Sequence, residues 1–201
     1  MNNAKTIKTA AKAIFKNVAK QFGYKTISGI PYKIVHDELY KISVLTSTAR
    51  DEVEYSISLH FKPLCCDDML WKILEISDDM CAQSASIHCI GAFTAPCVRL
   101  TEKTCSIKNE DEIADFFQQF ETFEHLISDS DRCWLNSLYI SDTTTDYGIT
   151  QNILYYIAKG NHRQALFFIE KELEQGKDGL FVLGDRAFMK SAKEYCLKEN
   201  C

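Results

Sequence analysis

The stretch "HFKPLCCDDMLWKIL", residues 60–74, places two adjacent cysteines beside two adjacent aspartates, with a histidine five residues upstream of the first cysteine. Cysteine, histidine and aspartate are the residue types that hold zinc or pair a thiol nucleophile with its base. The local pattern favours a simpler reading. His60 falls on the polar side of an alternating segment that Pro63 ends, and "CCDD" opens the helical period of Leu70, Ile73 and Leu74. Asp67 or Asp68 then suits the first helical turn, where a carboxylate meets orphan N–H groups and the positive end of the dipole. The cysteines are read as packing at the junction.

Other chemistry-bearing residues are weaker. Cys81, Cys89, Cys97 and Cys105 recur every eight residues, but none forms the short-range ligand pair that structural zinc takes from one turn. The nine cysteines are read as reduced thiols, and neither a metal nor a cofactor is expected. "HDE" (36–38) reads as hairpin-turn chemistry. His88 and Cys89, if on a strand, point to opposite faces and cannot form a dyad. Glu54, Ser56, Ser58 and His60 share one strand face and are the set from which a polar pocket could be built. The chain has no glycine-rich phosphate loop, no G-x-S-x-G and no H-E-x-x-H. None of its lysines has an acid two positions before it, so the acid-x-Lys pair of many nucleases is absent too.

The elements that must position these groups can be read from periodicity. Ile7, Ala11, Ile14, Val18 and Phe22 mark an amphipathic helix over 4–22 that Gly23 stops. Short strands follow at 24–28, 31–36 and 39–47. In "EVEYSISLHFK" (52–62), Val53, Tyr55, Ile57, Leu59 and Phe61 alternate strictly with polar residues through Lys62. Such alternation marks an antiparallel strand buried on one side. Further strands are expected at 86–93 and 97–107, with helix 4–22 on the Tyr55/Ile57/Leu59 face. Asn109 and Glu112 form a capping signature for a helix over 110–127 with Ile113, Phe116, Phe117, Phe120 and Phe123 as its stripe. Another helix starts at "SDSD" (128–131) and carries Trp134, Leu135, Leu138 and Tyr139. "SDTTTDYG" (141–148) resembles a linker, and helices are expected at 149–159, 162–175 and 184–198. The fold class is therefore α+β: an antiparallel sheet of about five strands, an N-terminal helix on one face and a C-terminal helical cap. Residues 1–147 form the sheet domain, and 148–201 dock on it through Leu154, Ile157, Leu166, Phe167 and Ile169 without being independent.

With 46% hydrophobic and 25% charged residues, the 201-residue chain has an ordinary globular composition. It holds no apolar run of membrane-spanning length, and its lysine-rich start lacks a signal peptide's apolar core. A cytoplasmic location is expected. The net charge of −5 is uneven: residues 1–41 carry +6 and the remainder −11. Lys8, Lys12, Lys16 and Lys20 recur every four residues on the first helix with no acid between them, and like charges at that spacing repel. This row is the candidate partner-binding surface. The partner it suits is an acidic protein surface, since the aromatic interleaving of nucleic-acid platforms is missing.

The helix ending in "FGY", then "PYKIVHDELYKISVLTS" and the alternating "EVEYSISLHF", resembles the domain-of-unknown-function 4304 family of bacterial proteins across about residues 8–75, a third of the chain. The tag before the next helix reads "HFKPLCC" in place of a glycine-containing form. The resemblance implies a small bacterial α+β protein with no established activity, of a kind suspected of immunity or partner-binding roles in bacterial conflict systems. Two function classes follow: a non-enzymatic protein-binding module, or an enzyme with its site on the polar sheet face around His60.

Overall fold

The computed structural model describes residues 2–49, 52–77, 87–109, 111–118 and 132–199. The expected continuation of the helix beyond 118, with Phe120 and Phe123, and the helix start at 128–131 lie outside them, as do Cys81 and Cys201. By internal contacts the chain divides into two units, residues 1–61 with 99–132 and residues 62–98 with 133–201.

Unit 1 begins with α1 (Asn2–Gln21). Its buried positions are Ile7, Ala11, Phe15 and Ala19, while Ile14, Val18 and Phe22 are half-buried. The stripe is thus centred one position away from the expected one, and small alanines let the helix lie close. The helix closes in a Schellman arrangement, with Tyr24 N–H donating to the Ala19 carbonyl at 2.9 Å and Gly23 N–H to that of Lys20 at 3.0 Å. Gly23 has a φ of 77°, which a glycine adopts without steric cost.

Five strands follow in spatial order β1 (Lys25–Ile27), β2 (Ile30–Val35), β3 (Glu38–Ala49), β4 (Glu52–Pro63) and β5 (Val98–Ile107), an antiparallel sheet in an α+β fold. Both first connections are two-residue turns. Ser28–Gly29 (φ 50° and 80°) and His36–Asp37 (φ 51° and 64°) have the paired positive φ of the type I′ turn, which matches the strand twist. "HDE" is therefore hairpin chemistry, as expected. On β4 the alternation holds: Val53, Tyr55, Ile57, Leu59 and Phe61 are buried. Each such side chain is worth about 1.5–3 kcal/mol when removed from water.

After β5, Asn109 Oδ1 accepts from the N–H groups of Asp111 and Glu112 at 3.1 and 3.2 Å, and helix α4 (Asp111–Gln118) begins. The capping signature is formed with one change. Glu112 reaches back to the N–H of Lys108 at 2.9 Å.

The remaining elements, numbered in chain order, belong to unit 2: α2 (Cys65–Leu74), α3 (Ile87–Ile90), α5 (Arg132–Tyr139), α6 (Asp146–Ala158), α7 (His162–Glu174), a hairpin of β6 (Val182–Leu183) and β7 (Arg186–Ala187), and α8 (Phe188–Glu199). Helix α6 packs on α7, α7 on α8, and α2 against α6 and α8. Cys66, Leu70, Ile73 and Leu74 line the buried side of α2. Among the residues expected to dock the C-terminal helices, Leu154, Ile157 and Ile169 are buried and Leu166 is half-buried. Phe167 is 60% exposed, and Ala165, Phe168 and Ile169 take the inner face. Neighbours in sequence sit about 100° apart around a helix, so Leu166, Phe167 and Ile169 cannot all point inward.

Three further differences have physical causes. Within the expected strand 86–93, Ile87–Ile90 is instead the single turn α3, and the sheet's fifth strand is the one read at 24–28, Lys25–Ile27. Gly91 follows α3, where an added Cβ would meet the Ile87 carbonyl oxygen at 2.6 Å. Second, "SDTTTDYG" is ordered cap chemistry. Asp142 accepts from Thr144 N–H at 2.8 Å and from the Thr145 hydroxyl, while Thr145 Oγ1 accepts from Gly148 N–H at 3.1 Å as the N-cap of α6. These donors hold the Asp142 carboxyl down to about 2. Third, Lys62 and Ser58, placed by alternation on the polar face of β4, are 1% and 6% exposed.

Candidate functional site

Three side-chain constellations could do chemistry. In unit 1, β4 and its neighbours build the polar face around His60. Ser56 donates to Glu102 Oε1 at 2.5 Å, and Arg99 Nη1 lies 2.5 Å from the other oxygen of that carboxylate. Glu54 turns the other way and accepts from Ser47 at 3.1 Å. Burial lowers the His60 pKa from its ordinary value, and the charges of Lys41 and Arg99 lower it further, against the opposing pull of Glu102. The net effect favours the neutral imidazole over the charged one. Ser56, Ser58 and His60 all act on Glu102, whereas Glu54 bonds to Ser47 of β3. The groups that set their chemistry, Lys41, Arg99 and Glu102, come from flanking strands and have no sequence spacing that would flag them.

The second constellation is on α1. Lys12, Lys16 and Lys20 are exposed, whereas Lys8 is half-buried and donates to Thr48 Oγ1 at 3.3 Å. Among the described residues, no carboxylate lies within ion-pair distance of Lys12, Lys16 or Lys20. Lys12 and Lys16 stand at a cleft of about 490 Å³ walled by Ala11, Phe15, Ile30, Pro31, Ile42, Val44 and Tyr55. Its remaining lining is Thr26, Ser28, Gly29 and Thr46, so among the described residues the charges on it are positive. The lysine row was legible in the sequence. The cleft beside it was not, because it forms where α1 and the β1–β4 sheet face meet.

The third is a buried ionic cluster in unit 2. Lys62 Nζ lies 2.8 Å from Asp67 Oδ1 and donates to the Ala95 carbonyl at 3.2 Å. Ala95 N–H donates to the same Asp67 oxygen at 2.6 Å, and His88 Nδ1 contacts the other oxygen at 2.7 Å. The His88 ring packs on Trp71 with centroids 4.9 Å apart, and the Trp71 indole N–H donates to the Phe93 carbonyl at 2.6 Å. Asp67 is fully buried and caps nothing: α2 has no side-chain cap, and its Leu64 N-cap is in the helical region. The helix-start reading thus fails for Asp67, which is the hub that ties β4's end, α3 and the 91–97 segment together. Asp68, also in the first turn, is exposed. A buried carboxylate needs several donors, and these arrive from residues 5, 21 and 28 positions away.

Beside this hub the two cysteines diverge. The Cys66 thiol donates to Cys65, and with Lys159 nearby the Cys65 pKa falls to about 7 despite partial burial. Cys66 itself is buried and pushed well up, first by desolvation and then by its bond to Cys65. Cys196 is likewise raised by burial to about 11. Since the thiolate is the reactive form, alkylation by iodoacetamide at Cys65 should rise through a midpoint near pH 7 and level off above about pH 8. Peptide mapping should find Cys65 modified well before Cys66 or Cys196. Equal rates at the three sites would contradict this.

Cys65, Cys66, Cys89, Cys97, Cys105 and Cys196 are free thiols. Among the described residues no three or more histidine, cysteine, aspartate or glutamate side chains converge as a metal site, and no helix is long and apolar enough to cross a membrane. Compared with protein-family models, curated proteins and solved structures, the chain matches none.

Proposed function

We propose that the protein is a non-enzymatic recognition module that presents α1 to an acidic surface of another protein, in a role of the immunity or partner-binding kind. The observation that carries this reading is the lysine row. Three cations of the row, Lys12, Lys16 and Lys20, stand exposed with no carboxylate of the described residues within ion-pair reach, and the first two edge an apolar cleft. Unpaired like charges on one helix repel, so the row is stabilised when an opposite charge arrives. The resemblance of residues 8–75 to the domain-of-unknown-function 4304 family supports the same reading. What weighs against the alternative, an enzyme site around His60, is that Glu102 accepts from Ser56 and that two cations flank the histidine.

Replacing Lys8, Lys12, Lys16 and Lys20 together with glutamate should abolish capture of a stoichiometric acidic partner from the native host. Folding stability should change by less than about 2 kcal/mol, because surface charge changes are individually small. Binding by the parent protein should weaken with added salt, since exposed charges are screened beyond roughly 8–10 Å. A quadruple variant that keeps full affinity would refute the reading and move attention to the His60 face.

A further inference from the structure

The geometry points to a specific occupant for the cleft beside α1: an extended acidic segment of the partner protein that inserts one apolar side chain between Lys12 and Lys16. This rests on the reading of α1 as the partner-binding face. The cleft's volume of about 490 Å³ is ample for one aromatic or branched aliphatic side chain, and Phe15, Ile42, Val44 and Tyr55 give it an apolar wall. The charge of its described lining is of one sign, so a neutral or cationic occupant would leave both ammonium groups uncompensated.

The length of the row separates a chain segment from a small amphiphile. From Lys8 to Lys20 it runs about 18 Å along the helix axis at about 1.5 Å per residue. A single carboxylate head answers one or two lysines. An extended chain covers the whole row with about five or six residues at roughly 3.3–3.6 Å each. The cleft opens at the middle pair, so the apolar residue belongs in the centre and the acids on either side. Lys8 is already turned toward this track, since its contact Thr48 lies two residues from Thr46 on the same face of β3, and Thr46 lines the cleft.

The probe is a fluorescein-labelled heptapeptide with three glutamates on each side of one phenylalanine, beside a counterpart with serine at the centre, titrated into the full chain at low salt. The phenylalanine peptide should bind at least about tenfold more tightly, as expected for burying an aromatic ring. Val44→Trp fills the cleft and should bring the two peptides to equal, weak binding. Thr46→Phe serves the same purpose from the exposed rim if Val44→Trp lowers the melting temperature. Lys12→Glu with Lys16→Glu should remove both. Equal binding of the two peptides to the parent overturns the anchored segment while leaving the charge reading intact. No binding of either overturns both. A phenylalanine preference that survives both cleft-filling variants places the anchor elsewhere and overturns the inference. So does dodecanoate binding that is tighter than the peptide's and lost in Val44→Trp, which would assign the cleft to a small anionic amphiphile.

Discussion

Asp67→Ala should destabilise unit 2 by about 3–5 kcal/mol, the range seen when one partner of a buried ion pair is removed. Three groups lose an acceptor at once: the Lys62 ammonium, which keeps only the Ala95 carbonyl, the Ala95 N–H and His88 Nδ1. Lys62 is the decisive one, because at 1% exposure it has no route to water without unpacking the end of β4. Asp67→Asn, which keeps the shape but not the charge, should cost nearly as much. Replacing both partners with apolar residues, as in Lys62→Met with Asp67→Leu, should recover most of the loss, since the desolvation of two charges disappears with them. Denaturant unfolding of the parent, Lys62→Met, Asp67→Leu and the double variant gives a double-mutant cycle. A loss below about 1 kcal/mol for Asp67→Ala would mean that Lys62 is hydrated and that the cluster is not the tie described above.

Ending the chain after Tyr147 should leave a fragment that does not fold cooperatively and aggregates. The truncation removes α6, α7 and α8 and strips the cover from α2, whose Leu70, Ile73 and Leu74 are nearly inaccessible in the intact chain. Exposing those three side chains alone forfeits roughly 5–9 kcal/mol, comparable to the whole stability of an ordinary domain at about 5–15 kcal/mol. Exposed apolar patches of that kind drive association. Solubility, dye binding and thermal unfolding of the 1–147 fragment measure the effect. A soluble fragment with a sharp transition that retains α2 would show that the C-terminal helices fold and act separately.

Much of unit 1 was legible because its signals are local. The alternation of Val53, Tyr55, Ile57, Leu59 and Phe61 has the period of a strand with one buried face, and "HDE" has the chemistry of a two-residue turn. The lysine row was equally plain, since a four-residue spacing puts charges on one side of any helix whatever it packs against. These features depend on nothing beyond a residue's near neighbours.

What tertiary structure alone decided lies where distant groups outweigh a local preference. "SIHCIGAF" has the look of a strand, yet Ile87–Ile90 is a helical turn whose His88 reaches Asp67 and packs on Trp71. Asp67 has the position of a helix-start residue and Lys62 that of a solvated one. A buried carboxylate with a buried ammonium beside it satisfies both charges, and that pairing overrides each separate tendency. In α7 the inward face went to Ala165, Phe168 and Ile169 while Phe167 faces water, because the helix's rotation is set by the neighbours it packs on and not by its own composition. The cleft beside Lys12 and Lys16 belongs to this class as well: the row is written in one helix, but the apolar wall joins Ala11 and Phe15 of that helix to residues of β2, β3 and β4, and only their packing brings the two together.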